Sequence, residues 1–274
     1  MNVDPELVDD FGEEWSRFDQ SAATREELAR QFEEYFAVFP WSELAPEARG
    51  FDLGCGTGRW ARFVAPRVRE LHCIDPAASA LAVARRNLAE QPNCRFHQAD
   101  ASCIPLADAS MDFGYALGVL HHLPDPQLGL QGCVRKLRPG APFLVYLYYA
   151  FDNRPAWFRA VWKLTDFARR ALCQLPRPVK HLACDVLAAV VYWPLARGAW
   201  LLERLGLPVG NIPLSAYRDK SFYLMRNDAL DRFGTRIEHR FTRQEIRQMM
   251  LNAGLRDVRF HDREPYWCAF AYRV

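Results

Sequence analysis

Short apolar runs alternate with stretches of helical character from about Ala48 to Ala150. The runs ending at Leu53 and those over 71–75, 96–100, 111–120 and 142–149 predict five strands. Between them, residues 59 to about 68 and the alanine-rich stretch 77–88 predict helices, the second closed by Asn87 and a turn at Pro92. Such alternation marks a parallel, doubly wound sheet. Further on, Thr242 and Glu245 have capping-box spacing, which starts a helix that runs to about Asn252 and ends at Gly254. Two closing runs, 257–261 and 267–272, complete a predicted α/β fold with seven mostly parallel strands.

The same pattern divides the chain. Residues 46–150 and 241–274 hold the strands. Residues 1–45 read as helical and are dotted with aromatic residues, among them Phe11, Trp15, Phe18, Phe32 and Tyr35. Residues 151–240 follow the fifth strand as a mainly helical insertion. They hold 15 Lys/Arg against 8 Asp/Glu, a balance of +7 in a chain whose total is +2, so the remainder stands at −5. The insertion is also apolar, with Trp157, Trp162, Phe167, Trp193 and Trp200. Its run 182–202 is long enough to raise a membrane span, but Asp185, Pro194 and Arg197 interrupt it. Buried helices of a substrate-covering subdomain are the preferred alternative to a helix lying on a membrane surface.

The first apolar run ends in Asp52, Leu53, Gly54, Cys55, Gly56, Thr57 and Gly58. Glycines at every second position let the chain turn off the strand and let a ligand approach bare backbone N–H groups. The spacing is not the Gly-x-Gly-x-x-Gly of dinucleotide sites. A carboxylate at the end of the next strand, Asp75, can accept hydrogen bonds from ribose hydroxyls, and the third strand ends in a second acid, Asp100.

This glycine loop and the two strand-end acids resemble those of the class I S-adenosylmethionine (SAM) dependent methyltransferases. Within that class the chain looks closest to the small-molecule group that includes the quinone-pathway enzymes. The resemblance covers roughly 45–150 and 241–274 and implies a Rossmann-like domain that binds SAM. It places Asp52, Gly54, Cys55, Gly56 and Gly58 on the cofactor, Asp75 and Pro76 at its ribose, Asp100 and Ala101 at its adenine, and Gly118 and Val119 at its methionine end. Phe11, Gly12, Glu13, Glu14 and Trp15 resemble a leading segment that covers cofactor and acceptor in some members, although aromatic residues so spaced also serve as packing surface.

Methyl transfer from SAM needs an aligned acceptor and, for a hydroxyl or protonated amine, a base. His121 and His122, after the fourth strand, are the candidates, with His121 nearer the strand end. Tyr149, Asn153 or Arg154, beyond the fifth strand, could meet the acceptor. The charged, aromatic segment 217–239 could wall the acceptor pocket, though a structural network is the plainer reading.

Composition narrows the functions further. Net charge is too small to imply nucleic acid, and the Pro-Pro-aromatic motif of amino-methylating DNA enzymes is replaced by Leu120, His121, His122, Leu123 and Pro124. The eight cysteines form no Cys-x-x-Cys pair, which argues against a zinc site, a disulfide framework and radical chemistry. No metal is expected. The acidic N-terminal stretch lacks an apolar signal core, so a cytoplasmic setting is the expectation. The expected activity is methylation of a small aromatic or lipophilic metabolite, at O or N rather than at C. A SAM-binding regulator without turnover, or a membrane-associated enzyme acting on a lipid or quinone, are the alternatives.

Overall fold

The strands are β1 Arg49–Leu53, β2 Glu70–Asp75, β3 Cys94–Gln98, β4 Phe113–Leu117, β5 Pro142–Tyr146, β6 Leu255–Phe260 and β7 Cys268–Arg273. They form one sheet in the order β3-β2-β1-β4-β5-β7-β6. Only β7 runs against its neighbours, so the predicted mostly parallel, doubly wound sheet of seven strands is what the chain builds. The structure is a computed structural model that describes residues 2–274.

The helices are α1 Pro5–Arg17, α2 Arg25–Phe36, α3 Ala61–Val64, α4 Ala78–Asn87, α5 Pro126–Lys136, α6 Ala156–Leu172, α7 Arg177–Leu187, α8 Trp193–Arg204, α9 Phe222–Gly234 and α10 Arg243–Asn252. Several start where the sequence offers a cap. The Asp4 carboxylate accepts from the Glu6 and Leu7 amides, and Asp125 accepts from Leu128. The expected Thr242–Glu245 capping box opens α10.

The chain divides into two units, one of residues up to Gln20, 28–149 and 239–274, the other of 21–27 and 150–238. In the first, the sheet is covered on both faces. Leu130 and Val134 of α5, with Ile246 and Met250 of α10, pack with Phe51, Phe143 and Val145. On the opposite face Phe32, Phe36, Val64, Leu81 and Ala84 pack with Leu71, Phe113, Tyr115 and Leu144.

Several elements are shorter than their apolar runs. The helix expected over 59–68 is only α3 followed by a 3-10 turn, Ala65–Arg67, because Pro66 has no N–H with which to continue the ladder. The fourth run leaves strand geometry at Gly118, whose φ is +79°. The fifth ends at Tyr146, and Tyr149 makes a single bridge to Phe241. The third ends at Gln98, leaving Asp100 in the turn beyond.

In the second unit α6 and α7 pack against α9, whose Leu224, Met225, Ala229, Leu230 and Phe233 are buried. A single helix runs from Arg177 to Arg204 through a π turn, Ala188–Tyr192, and is long and apolar enough to cross a membrane. Charges of the segment 217–239 bind within this unit. Arg226 forms a two-pronged pair with Asp185 at 2.9 Å, Arg232 donates to the Thr165 hydroxyl, and Arg218 pairs with Glu203. The insertion differs from the expected buried helices in one respect: α6 and the 177–204 helix each turn a row of large apolar side chains to solvent.

Candidate active site

The sheet order reverses between β1 and β4, the point beyond the C-terminal ends of the parallel strands at which such sheets hold their ligands. β1 delivers the glycine loop to this point. The Gly54 and Cys55 amides donate to the Ile74 carbonyl at 2.7 and 3.1 Å, which ties the loop to β2. Gly56 has φ +52°, and its N–H donates to the Asp75 carboxylate at 2.9 Å. The other Asp75 oxygen accepts from Ala77, also at 2.9 Å. Burial pushes the Asp75 carboxyl up to about 6, against the pull of these two amides.

Asp52 lies deeper. Burial pushes its carboxyl up to about 8, moderated by the facing hydroxyl of Tyr115, its register partner on β4. Asp52 Oδ2 and the Tyr115 hydroxyl face each other at the base of the loop and meet no other hydrogen-bond partner there.

Helix α1 crosses this edge. A Cβ added to Gly56 would lie 3.2 Å from the Trp15 indole, so Trp15 sits directly on the loop. Gly12 lets α1 approach α4 closely, since a side chain there would collide with Ser79. Both ends of α1 are anchored. Asn2 exchanges two hydrogen bonds with the backbone of Asp125, at 2.6 and 2.8 Å. Asn87 donates to the carbonyls of Asp19 and Thr57, both at 3.0 Å, joining the end of this segment to the loop. Phe11 reaches His122, with ring centroids 5.0 Å apart.

After β4, Gly118 faces open space, with no atom within 4 Å of where a Cβ would stand. A 3-10 turn, Leu120–His122, then buries both histidines. His121 is 0% exposed, stacks on Tyr148 at 3.8 Å between centroids, and has no hydrogen-bond partner at either ring nitrogen. Burial, and then the neighbouring His122, Arg240 and His239, hold it well below the usual histidine range, so its ring is neutral. The backbone after the insertion closes this corner. The His239 amide donates to the His121 carbonyl at 2.9 Å, and the Arg240 guanidinium lies 5.0 Å from the Tyr148 ring.

The structure therefore gathers Asp52, Gly54, Cys55, Gly56, Gly58, Asp75, Trp15, Gly118 and Val119 about one edge, with Phe11, His121 and His122 beside them. Asp100, in the turn after β3, accepts from the Ser102 amide and hydroxyl. Ala101 is buried against Gly132 of α5, and the Pro76 carbonyl accepts from Gln98 at 3.3 Å. The other candidates have partners of their own. Tyr149 packs on Tyr266 and Trp267. Asn153 and Arg154 belong to the second unit, where Arg154 donates to the Gly210 carbonyl and stacks on Phe158. Tyr148 and Arg240, which meet His121, were not singled out from the sequence. Alternation along the apolar run 142–149 sets Tyr148 on the face opposite Tyr149, and that is the signal in the sequence that points to it.

Residues 51–145 match the family described as "Methyltransferase domain". The chain is 29% identical to a malonyl-[acyl-carrier protein] O-methyltransferase of Enterobacter lignolyticus, over 74% of each chain. It is also 29% identical to a ubiquinone biosynthesis O-methyltransferase of Paracidovorax citrulli, over 66% of this chain and 75% of that one. With the 27-O-demethylrifamycin SV methyltransferase of Amycolatopsis mediterranei the identity is 30%, but the match spans only 45% of that protein. Among solved structures, the methyltransferase bound to the Haloferax volcanii Trm112 methyltransferase activator superposes with a TM-score of 0.54 at 14% identity, over 97% of this chain and 96% of its own. At that identity the likeness is one of fold.

Proposed function

We infer that this chain, a class I SAM-dependent methyltransferase resembling the quinone-pathway enzymes, methylates an oxygen or nitrogen of a small aromatic or lipophilic acceptor. O-methylation is favoured because the relatives matched over most of their length are O-methyltransferases. The observation that carries the reading is His121, a neutral and fully buried imidazole without a hydrogen-bond partner, at the edge where the glycine loop lies.

The residues present fit the cofactor. The backbone of Gly54, Cys55, Gly56 and Gly58 is bare enough for close approach, and Asp75 is pinned by two amides so that its remaining lone pairs suit a diol. Asp100 and Ala101 would hold the adenine, Pro76 its ribose side, and Gly118 and Val119 the methionine end. The Asp52 carboxyl and the Tyr115 hydroxyl offer a polar contact at the base of the loop. When bound, SAM supplies a methyl already activated on a sulfonium.

The protein's own tasks are then alignment, exclusion of water and removal of one proton. Trp15 and Phe11 on α1 cover the edge and keep water from it. Tyr148 fixes the plane of the His121 ring by stacking. A neutral imidazole held there can take a proton from an acceptor hydroxyl or ammonium as the new bond forms. His122, in ring contact with both Phe11 and His121, is the alternative base.

The test is to incubate the full chain with SAM and panels of phenols, carboxylic acids and amines, and to follow S-adenosylhomocysteine. Turnover that rises with pH through a single ionisation, and is lost in His121→Ala or His122→Ala, supports the reading. SAM binding without turnover on any panel, or wild-type rates in both variants, would sink it.

A further inference from the structure

The helices of the second unit expose more apolar side chain than their own packing explains. On α6, Trp157, Val161, Leu164 and Phe167 recur along one side and stand in solvent, with Leu164 73% and Phe167 76% exposed. On the 177–204 helix, Leu182, Val186, Val190 and Trp193 form a second row, with Leu182 65% and Val190 62% exposed. That helix is apolar on its inner side as well, where Cys184, Ala188, Tyr192 and Ala196 are buried. A helix apolar all round is ordinarily enclosed by protein or lipid. Single exposed leucines need no account, but rows of this length on adjoining chain segments do.

The charges beside these rows are mostly positive. Residues 156–204 contain eight Lys/Arg and three acids. Each acid is engaged by arginine: Asp166 by Arg169 and Arg170, Asp185 by Arg226, and Glu203 by Arg218. Arg159, Lys163, Arg177 and Arg204 are exposed among the apolar positions.

We propose that the outward faces of α6 and of the 177–204 helix dock on the surface of an anionic phospholipid bilayer. The apolar rows enter the boundary between headgroups and acyl chains, and the cations meet lipid phosphates. Charge selects this occupant over a second copy of the chain, which would set one positive face against another. Docking is also favoured over spanning. Arg197 donates to the carbonyls of Arg218 and Lys220, and Asp185 is paired with Arg226 of α9. Both would be stripped of partners in hydrocarbon. Methyl transfer does not enter into the proposal, which stands or falls on lipid binding alone.

The experiment is flotation of the full chain with vesicles of phosphatidylcholine alone and of phosphatidylcholine mixed with phosphatidylglycerol, at low and high salt. The protein should float with the anionic vesicles, less so as salt rises. Leu164→Asp with Phe167→Asp, and separately Leu182→Asp with Val190→Asp, should each lower partition at least about tenfold. Lys163→Glu should lower it roughly fivefold on anionic vesicles only. Circular dichroism and SAM affinity should not change. If an aspartate pair melts early, brominated lipid should quench wild-type emission, and should quench it less in Trp157→Phe with Trp193→Phe. The proposal is overturned if the protein floats with neither vesicle or equally with both. It is also overturned if brominated lipid does not quench, if alkaline carbonate fails to extract the bound protein, or if the apolar rows prove to hold a dimer that does not bind vesicles.

Discussion

Replacing Asp75 tests the cofactor site where two effects oppose each other. Its two oxygens accept the Gly56 and Ala77 amides, both at 2.9 Å. Asp75→Ala loses both bonds and leaves two buried N–H groups unpaired, at about 1.5–3 kcal/mol for each charge-assisted bond. The wild-type carboxylate is itself held at a penalty. A carboxyl raised from 3.8 to about 6 costs about 3 kcal/mol when ionised. That penalty is already net of the two amide bonds, so relieving it is set against two orphaned N–H groups at about 1–3 kcal/mol each, and Asp75→Ala should change the stability of the fold by no more than about 3 kcal/mol at neutral pH. SAM affinity is another matter, because the proposed ribose partner vanishes outright, and a loss of about 1.5–3 kcal/mol, roughly 10- to 150-fold, is expected by titration calorimetry. Unchanged affinity in a folded variant would refute the assignment.

The same residue predicts a pH signature. With its folded pKa above the unfolded one, the folded state binds the extra proton between about pH 4 and pH 6. This contribution to stability is present below that window and is lost as pH rises through about 6, by up to about 3 kcal/mol. Asp75→Asn cannot titrate and should lack that part of the slope. Denaturant titrations at several pH values compare the two, and parallel pH profiles would show that Asp75 is not the group responsible.

Asp52 should add a second slope with the same sign, its stabilising contribution declining as pH rises from about 4 to about 8, and Asp52→Asn should flatten the profile between about pH 6 and 8, where Asp75 no longer titrates. A wild-type profile flat over that range would contradict the burial argument. Gly56→Val puts a branched side chain at φ +52° and 3.2 Å from Trp15, so it should destabilise by about 2–4 kcal/mol and abolish measurable SAM binding; normal calorimetric binding would count against the loop. Trp15→Ala uncovers the loop and should speed SAM release about tenfold in stopped flow, with melting changed little; an unaltered release rate would mean that α1 is packing rather than cover. His121→Ala or His122→Ala should lower kcat by about 10²–10⁴ with SAM affinity nearly intact; loss of SAM affinity at constant kcat would make the histidines structural.

What could be read from the chain was what local spacing controls. The glycine loop, Asp75 at a strand end and the Thr242–Glu245 cap depend on residues a few positions apart, and each stands where its spacing put it. Contacts of high sequence separation were beyond that kind of signal. Asn2 ties α1 to Asp125 across 123 positions, and His239 and Arg240 return to His121 and Tyr148 from the far side of the insertion. The insertion itself shows a different limit. Periodicity finds a helix by contrast between an apolar face and a polar one but does not say which apolar row is covered, and on the 177–204 helix the row of Cys184 is buried while that of Leu182 is exposed. A pattern apolar on both sides reads as burial, whereas one of the two rows faces out. The lipid-docking proposal starts from that row: it is surplus to the core of its unit, and a surface maintained against that penalty calls for a partner.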